Sequence, residues 1–278
     1  MILNLDKNFS VFSGEKEIEF QNFTFSGGEP HIKINPDFDY NQPVTITHRI
    51  NSFNDLGLLC ITVDALKRMD VKIINLFIPY FPAARQDRVM IKGEPLSVKV
   101  YADILNAMTL NKILVFDAHS EVTPALLNNG EVISNHNFIS QVLKIIGTNI
   151  KLISPDGGAL KKIYKVSEFL GGIDVVECSK SRDVKTGKLS GFKVYDEDLK
   201  GSDCLIVDDI CDAGGTFLGL AEELKKKNAG KLYLAISHGI FNKGFVELEK
   251  QFTTIFTTDS FKNIEEKSVV QIQLSQLL

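Results

Sequence analysis

The sequence predicts an α/β protein made of two similar three-layer α/β/α domains with mostly parallel sheets. Short runs rich in Val, Ile, Leu and Phe alternate with segments of helical periodicity along most of the 278 residues. Buried parallel strands have this apolar character, and right-handed crossover helices join them. A polar segment at 128–137, with an Asn-Asn-Gly turn, interrupts the alternation. We therefore expect one domain at 1–137 and a second at 138–278.

The predicted elements follow one another in a regular order. A strand at 44–47 precedes a helix at 56–69, which Ser52 or Asn54 can cap. The other predicted strands are 73–78, 113–116, 150–153, 173–177, 204–207 and 232–237, and the other helices are 96–108, 138–145, 159–170 and 216–227. The polar segment 179–194 has no helical apolar face, so we expect either a long mobile loop over an active site or an exposed hairpin.

The composition excludes several classes of protein. Hydrophobic residues make up 44% of the chain and charged residues 24%, values close to those of globular proteins. The net charge is −4 and no long basic run occurs, so we expect no binding to nucleic acid. No apolar stretch is long enough to span a membrane, and the N-terminus does not resemble a signal peptide. The four cysteines lack metal-ligand spacing, which favours buried free thiols and a cytoplasmic protein.

The most informative motif is LIVDDICDAGGT at 205–216. A buried strand ends in two acids, Asp208 and Asp209, and the loop that follows and opens a helix consists of Asp212, Ala213, Gly214, Gly215 and Thr216. Adjacent glycines let backbone N–H groups converge on one point, and a helix N-terminus adds partial positive charge. The pattern predicts a phosphate-binding loop beside a carboxylate pair that can bind vicinal hydroxyls or a metal ion.

This motif resembles the phosphoribosyl-diphosphate loop of type I phosphoribosyltransferases, and other motifs narrow the resemblance to the ribose-phosphate pyrophosphokinases (PRPP synthetases). They are FSGGE at 25–29, a helix at 50–69, IPYFPAARQDR at 78–88, EPLSVKVYADIL at 94–105, FDAHS at 116–120, ISPDGGALKK at 153–162, SHGIF at 237–241 and TTDSF at 257–261. They occur in the family's order over nearly the whole chain. The resemblance implies a transferase that moves the β,γ-diphosphoryl group of ATP to the 1-hydroxyl of ribose 5-phosphate, with Mg²⁺ as cofactor.

The resemblance also implies roles for individual residues. Lys180, Arg182 and His119 are expected to be catalytic, and His119 with Asp156 to hold the metal. The expected ATP-binding residues are Phe25, Glu29, Arg85, Gln86 and Asp87, and the expected ribose-phosphate-binding residues are Asp208, Asp209 and 212–216. The family supplies the loop matching 25–29 from a neighbouring subunit, so we expect a homo-oligomer.

The sequence departs from the family pattern at positions that bear on the substrate. Ala213 stands where the family usually has Thr, which removes one side-chain donor to a terminal phosphate. Gly27 replaces a residue that is often polar, and the usually charged segment after Gln86 and Asp87 carries three apolar residues at 89–91. The short C-terminal part leaves allosteric control by nucleoside diphosphates open.

These departures leave alternatives beside the main hypothesis. A 5′-substituted ribose such as ADP-ribose needs fewer donors in the loop, because its proximal phosphate carries one negative charge instead of two. A non-catalytic family member that regulates an active partner is disfavoured, because Lys180, Arg182 and His119 are all present. A phosphoribosyltransferase that consumes the activated ribose would share the 205–216 motif, but it would not explain the motifs of the N-terminal half.

Overall fold

The computed structural model describes residues 1–182 and 189–278 of the chain. The chain forms two compact units. Residues 1–134 form the first unit together with 274–276 and 278, and residues 135–273 form the second unit together with 277. The division falls within the polar segment that separates the predicted domains. The predicted boundary between residues 137 and 138 stays a prediction.

The first unit is built on a parallel sheet. Its strands are β1 Ile2–Asn4, β2 Phe20–Thr24, β3 Pro30–Ile34, β4 Val44–Thr47, β5 Ile74–Ile78, β6 Lys112–Phe116 and β7 Gly130–Ile133, and its helices are α1 Phe53–Arg68, α2 Ser97–Ala107 and α3 Val122–Leu126. The sheet has five strands in the order β1-β4-β5-β6-β7. β2 and β3 form a separate antiparallel hairpin, and β3 packs on α1.

Helix α1 shows how the sequence determines an element and its packing. The Ser52 hydroxyl accepts a hydrogen bond from the Asp55 N–H at 3.2 Å, so the structure selects Ser52 rather than Asn54 as the cap. The buried face carries Leu59, Val63 and Leu66, which lie three or four residues apart. This apolar stripe packs into one core with the inward side chains of β4 and β5.

The second unit is built on a mostly parallel sheet. Its strands are β8 Lys151–Ser154, β9 Val175–Arg182, β10 Leu189–Val194, β11 Cys204–Cys211, β12 Leu232–Gly239, β13 Thr254–Thr258 and β14 Val269–Ile272, and its helices are α4 His136–Ile146, α5 Leu160–Phe169, α6 Gly215–Lys226 and α7 Val246–Glu249. The sheet has seven strands in the order β10-β9-β8-β11-β12-β13-β14 and is parallel except for the β9–β10 pair. A short 3₁₀ helix, Leu274–Gln276, follows β14.

The fold class is therefore the predicted one, and every helix and strand predicted from the sequence is present. For the segment 179–194, the sequence predicts either a long loop or a hairpin. Residues 179–182 and 189–194 belong to the antiparallel strands β9 and β10, which fits the hairpin alternative and not a loop along these residues. β10 is anchored because Val194 is buried and Phe192 packs against Gly219 of α6. Residues 183–188 of the predicted loop lie outside the described residues.

Within the described ranges, no helix combines the length and the apolar character that crossing a membrane requires. The sequence pattern did not predict the hairpin β2–β3 or the strands β1, β7, β13 and β14. These strands are three to five residues long, and each has polar or exposed positions that obscure a periodic signal.

A buried histidine follows β4 in the first unit. His48 is 4% exposed, and its Nε2–H donates to the Asp55 carbonyl at 3.2 Å. Within the described part of the chain, Nδ1 has no hydrogen-bond partner. Burial lowers the pKa of His48 from 6.5, opposed by the charges of Asp55 and Asp6 and aided by the charge of Arg49. The folded unit therefore favours the neutral imidazole.

We expect this histidine to make the protein less stable in mild acid. Because the pKa of His48 is lower in the folded than in the unfolded state, the unfolded chain binds the proton first as the pH falls below 6.5. The free energy of unfolding should then fall by up to about 1.4 kcal/mol per pH unit. Urea denaturation of His48→Asn between pH 7 and 5 should show a flatter profile, whereas His31→Asn, on the exposed hairpin, should keep the wild-type slope.

Candidate functional site

The predicted phosphate loop leads from β11 into helix α6. Gly214 is the N-cap residue of this helix and has a left-handed conformation with φ of +80°. A side chain here would be strained, and a Cβ would lie 3.2 Å from Leu248 of α7. No side chain of the described residues caps the helix, so its first N–H groups are available to a ligand. The loop has the geometry of an anion-binding site.

The two predicted acids lie on β11 just before this loop. Asp209 is buried, and its N–H donates to the Asp208 carboxylate at 3.0 Å. Burial raises the pKa of Asp208 well above 3.8, the neighbouring charge of Asp209 raises it further, and the charge of Lys180 opposes the rise. The edge of the sheet therefore concentrates negative charge that a cation or ligand hydroxyls can compensate.

The order of the strands places these groups at a topological switch point. From β8 the chain proceeds to β9 on one side, and from β11 it proceeds to β12 on the other, while β8 and β11 are neighbours. Ligands of open α/β sheets bind outside the carboxyl ends of the strands at such a point. Asp156 follows the carboxyl end of β8, and Asp208 and Asp209 lie near the carboxyl end of β11. The fold therefore brings the predicted residues of the second unit to one crevice.

Lys180 is paired with Asp156 across the end of β8. Its Nζ lies 2.5 Å from Asp156 Oδ2, and both side chains are about three-quarters buried, with exposures of 25% and 23%. The other carboxylate oxygen of Asp156 accepts from the Ala159 N–H at 3.0 Å. Arg182 ends β9, and its side chain lies outside the described part of the structure. Lys180 is thus placed beside the carboxylates of the crevice.

The predicted ATP-binding residues of the first unit lie in the turn after β5. Arg85 and Gln86 are exposed, whereas Asp87 is 8% exposed. Burial acts to raise the pKa of Asp87, but hydrogen bonds from Arg88 and Ser120, with the charges of Arg88 and His119, lower it from 3.8 overall. Asp87 therefore joins the turn after β5 to the loop after β6 that carries His119.

The hairpin places Phe25 and Glu29 at its tip. The Phe25 N–H donates to the Glu29 carbonyl at 2.9 Å, and Gly28 in the turn has φ of +99°. Phe25 is 50% exposed, so it is no core aromatic, and its ring packs only against those of Phe23 and His31 among the described rings. An exposed aromatic pair on a hairpin tip is available for stacking with a ligand or a second chain.

Three non-glycine residues with positive φ lie in loops at the carboxyl ends of strands. They are Ala83 (φ +56°) after β5, Asp117 (φ +43°) after β6 and Phe241 (φ +46°) after β12. Such conformations cost energy in non-glycine residues and persist where the surrounding structure enforces them. The loops that carry the predicted site residues are therefore held in defined shapes.

Two residues that hold the site were not singled out from the sequence. Arg88 and Ser120 belong to the ARQDR and DAHS motifs, but their hydrogen bonds to Asp87 depend on two loops that are distant in the sequence. The motifs themselves are the only sequence signal for them. In the described residues, no group of three or more His, Cys, Asp or Glu side chains forms a metal-binding cluster.

The fold and the crevice together define an enzyme class that handles phosphorylated ribose on a phosphoribosyltransferase-type sheet. Comparison with known proteins agrees: the N-terminal domain of ribose phosphate pyrophosphokinase matches residues 10–108, and the phosphoribosyl transferase domain matches residues 126–271. The chain therefore belongs to the ribose-phosphate pyrophosphokinase family, whose members are transferases, and the resemblance seen in the sequence is confirmed.

Individual relatives give the extent of the similarity. The chain is 28% identical to the ribose-phosphate pyrophosphokinase of Mycoplasma genitalium over 100% of this chain and 84% of that protein. It is 31% identical to that of Thermococcus kodakarensis over 84% of this chain and 82% of that protein. Phosphoribosylpyrophosphate synthetase from Mycobacterium smegmatis has the same fold, with a TM-score of 0.81 and 22% identity over 94% of this chain and 88% of that chain.

We expect Gly214→Ala to weaken anion binding at the loop. The left-handed φ of +80° strains any side chain, and the new methyl group presses on Leu248, so the N–H groups at the start of α6 lose their arrangement. Affinity for inorganic phosphate, measured by calorimetry, should fall about tenfold or more. Gly171→Ala, with φ of +89° and no close contact, is the matched control and should bind phosphate normally.

Proposed function

We propose that this chain transfers the β,γ-diphosphoryl group of ATP to the 1-hydroxyl of ribose 5-phosphate, which gives PRPP and AMP. The single observation that carries the proposal is the crevice of the second unit, where an uncapped helix N-terminus, two acids and Lys180 lie at the switch point of the sheet. The family membership supports the same chemistry. The curated relatives are named for ribose-phosphate pyrophosphokinase activity and lend no support to the ADP-ribose alternative.

The binding roles follow from the chemistry of the groups. Backbone N–H groups of Gly214, Gly215 and Thr216 suit the 5′-phosphate of the acceptor, to which Ala213 adds no side-chain donor. Asp208 and Asp209 suit the ribose hydroxyls, because carboxylate oxygens accept hydrogen bonds from vicinal hydroxyl groups. Asp212 opens the loop and completes the predicted acceptor site.

ATP binding is assigned to the first unit. Arg85 and Gln86 are exposed at the turn after β5, where a guanidinium and an amide can reach the nucleotide, and Asp87 fixes the turn. We assign Phe25 and Glu29 to the adenine, for which an exposed aromatic face and a carboxylate acceptor are suitable partners.

The donor set also fits Mg²⁺. Asp156 supplies hard carboxylate oxygens after β8, and Asp208 and Asp209 lie on the neighbouring β11, where burial and the adjacent charge of Asp209 raise the pKa of Asp208. We propose His119 and Asp156 as the metal-binding residues. When bound, Mg²⁺ would neutralise charge on the ATP phosphates, which is its usual role in phosphoryl transfer.

Transfer of the diphosphoryl group requires positioned reactants and fixed positive charge. Lys180 and Arg182 are on the strand that borders the crevice, and cations there can stabilise the negative charge of the moving diphosphoryl group. His119 follows β6 in the first unit, and the family resemblance gives it a catalytic role. We therefore propose these three residues as the catalytic ones.

Incubation with ATP and Mg²⁺ and either ribose 5-phosphate or ADP-ribose, with the products weighed by mass spectrometry, tests the proposal. We expect PRPP and AMP, and a higher kcat/KM for ribose 5-phosphate. Ala213→Thr should improve the use of ribose 5-phosphate by about tenfold, the worth of one charge-assisted hydrogen bond. A higher kcat/KM for ADP-ribose would overturn the assigned acceptor, and no transfer to either sugar would overturn the function.

We expect Lys180→Ala and Arg182→Ala each to lower kcat by at least about a hundredfold, because each removes a cation that stabilises the transition state. Circular dichroism should show an unchanged fold. Lys193→Ala is the matched control, because Lys193 lies on the adjacent β10, over the ring of Tyr195, and should keep normal turnover. Near-normal kcat in both variants would remove the two residues from the mechanism.

Phe25 and Glu29 also lead to a proposal about assembly. If the hairpin tip serves the ATP site of a neighbouring subunit, a monomer lacks a complete site, so we propose a homo-oligomer of at least two chains. Light scattering with activity measured over a dilution series should show activity falling as the assembly dissociates. A monomer with full activity would contradict this proposal.

A further inference from the structure

The first residues of the phosphate loop are held by the turn that follows β12. The Cys211 carbonyl accepts from the Ile240 N–H at 3.0 Å and from the Phe241 N–H at 3.1 Å. The Asp212 carbonyl accepts from the Asn242 N–H at 3.0 Å. The turn at 240–242 therefore anchors the residues at which β11 ends and the loop begins.

The peptide group between Ile240 and Phe241 is fixed at both of its polar atoms. Its N–H is bonded to Cys211, and its carbonyl accepts from Lys262 Nζ at 2.5 Å. Phe241 has the left-handed φ of +46°, which is costly for a residue with a side chain. Rotation of this peptide group would relieve the conformation, but it would break both hydrogen bonds. Lys262 thus opposes a rotation that the backbone strain favours.

Lys262 extends from a well-anchored loop. Gln271 of β14 donates from Nε2 to the Lys262 carbonyl at 2.9 Å and to the Thr258 carbonyl at 3.1 Å. The buried Ser260 donates to the Ser237 carbonyl of β12 at 2.9 Å. Because the Lys262 backbone is held from two strands and its side chain is partly buried, its ammonium group can hold the Ile240 carbonyl in one place.

We propose that Lys262 is a positioning residue for the phosphate loop. By holding the Ile240 carbonyl, it keeps Phe241 in its left-handed conformation and keeps the bond of Phe241 to Cys211, so the loop retains the shape that binds phosphate. Lys262 directly follows the TTDSF segment, and no role in the family resemblance falls on it. This role rests on the proposed function in one respect, namely that the ligand of the loop is a ribose phosphate.

Two variants separate positioning from general stability. Lys262→Met removes the ammonium group but keeps the aliphatic chain, and Lys262→Arg keeps a charged donor. In Lys262→Met, hydrogen–deuterium exchange of the segment 211–216 should be about tenfold faster, since a local opening replaces a held peptide. Lys250→Met removes an exposed lysine that pairs only with Glu247 among the described residues and should leave this exchange unchanged.

Kinetics of the same variants give the functional test. Lys262→Met should raise KM for ribose 5-phosphate about tenfold while kcat and KM for ATP stay within about twofold. Lys262→Arg should recover most of the loss, and Lys250→Met should behave as wild type. An unchanged KM in Lys262→Met overturns the proposal, and a lower melting temperature with an unchanged KM overturns it too, because it makes Lys262 a stabilising residue only.

A separate probe keeps this proposal distinct from the proposed function. If the wild type does not use ribose 5-phosphate, the proposed function fails. The affinity for inorganic phosphate then tests the role of Lys262, and the amide NMR signals of Gly214 and Gly215 monitor phosphate binding. Affinity about tenfold weaker in Lys262→Met than in wild type then supports positioning. Equal affinity in the two proteins overturns it.

Discussion

The neighbouring positions of β8 and β11 are the constraint on which the crevice of the second unit depends. The chain leaves these two parallel strands in opposite directions, so no crossover covers the gap beyond their carboxyl ends. Asp156 after β8, the acids of β11 and the N-terminus of α6 lie near that gap because of the strand order. Strand order thus brings together residues that are separated by some fifty positions in the sequence.

The groups around this gap carry negative and positive charges that compensate one another in part. Asp156, Asp208 and Asp209 bring carboxylates to one edge of the sheet, and the pKa of Asp208 is raised because burial and the adjacent charge both disfavour its ionised form. Lys180 compensates part of this charge, through its pair with Asp156 and its effect on Asp208. The remaining positive charge comes from the end of α6, which favours an anion a few residues further along the chain. Groups that suit hydroxyls and groups that suit a phosphate are therefore adjacent and of opposite charge.

Much of this arrangement could be predicted from the sequence because it is local. The strand of β11, its two acids, the glycine turn and α6 are consecutive, and apolar runs with a capping serine were enough to predict α1. The sequence was less informative where pairing between distant residues decides the structure. β9 and β10 form a hairpin because Phe192 and Val194 point toward α6, a pattern too short to distinguish a hairpin from a loop in a polar segment. The contacts of Asp87 with Ser120 and of Lys262 with Ile240 likewise produce no periodic pattern in the sequence.

In the first unit, the predicted site residues are positioned in a different way. Its parallel strands follow one another in sequence order, so its sheet has no switch point and no crevice created by strand order. Its exposed groups must instead be fixed by their own loops. The loops after β5 and β6 carry the left-handed residues Ala83 and Asp117, and the hydrogen bond from Ser120 to Asp87 ties one loop to the other. Backbone strain and a buried carboxylate thus supply in this unit the positioning that sheet topology supplies in the second.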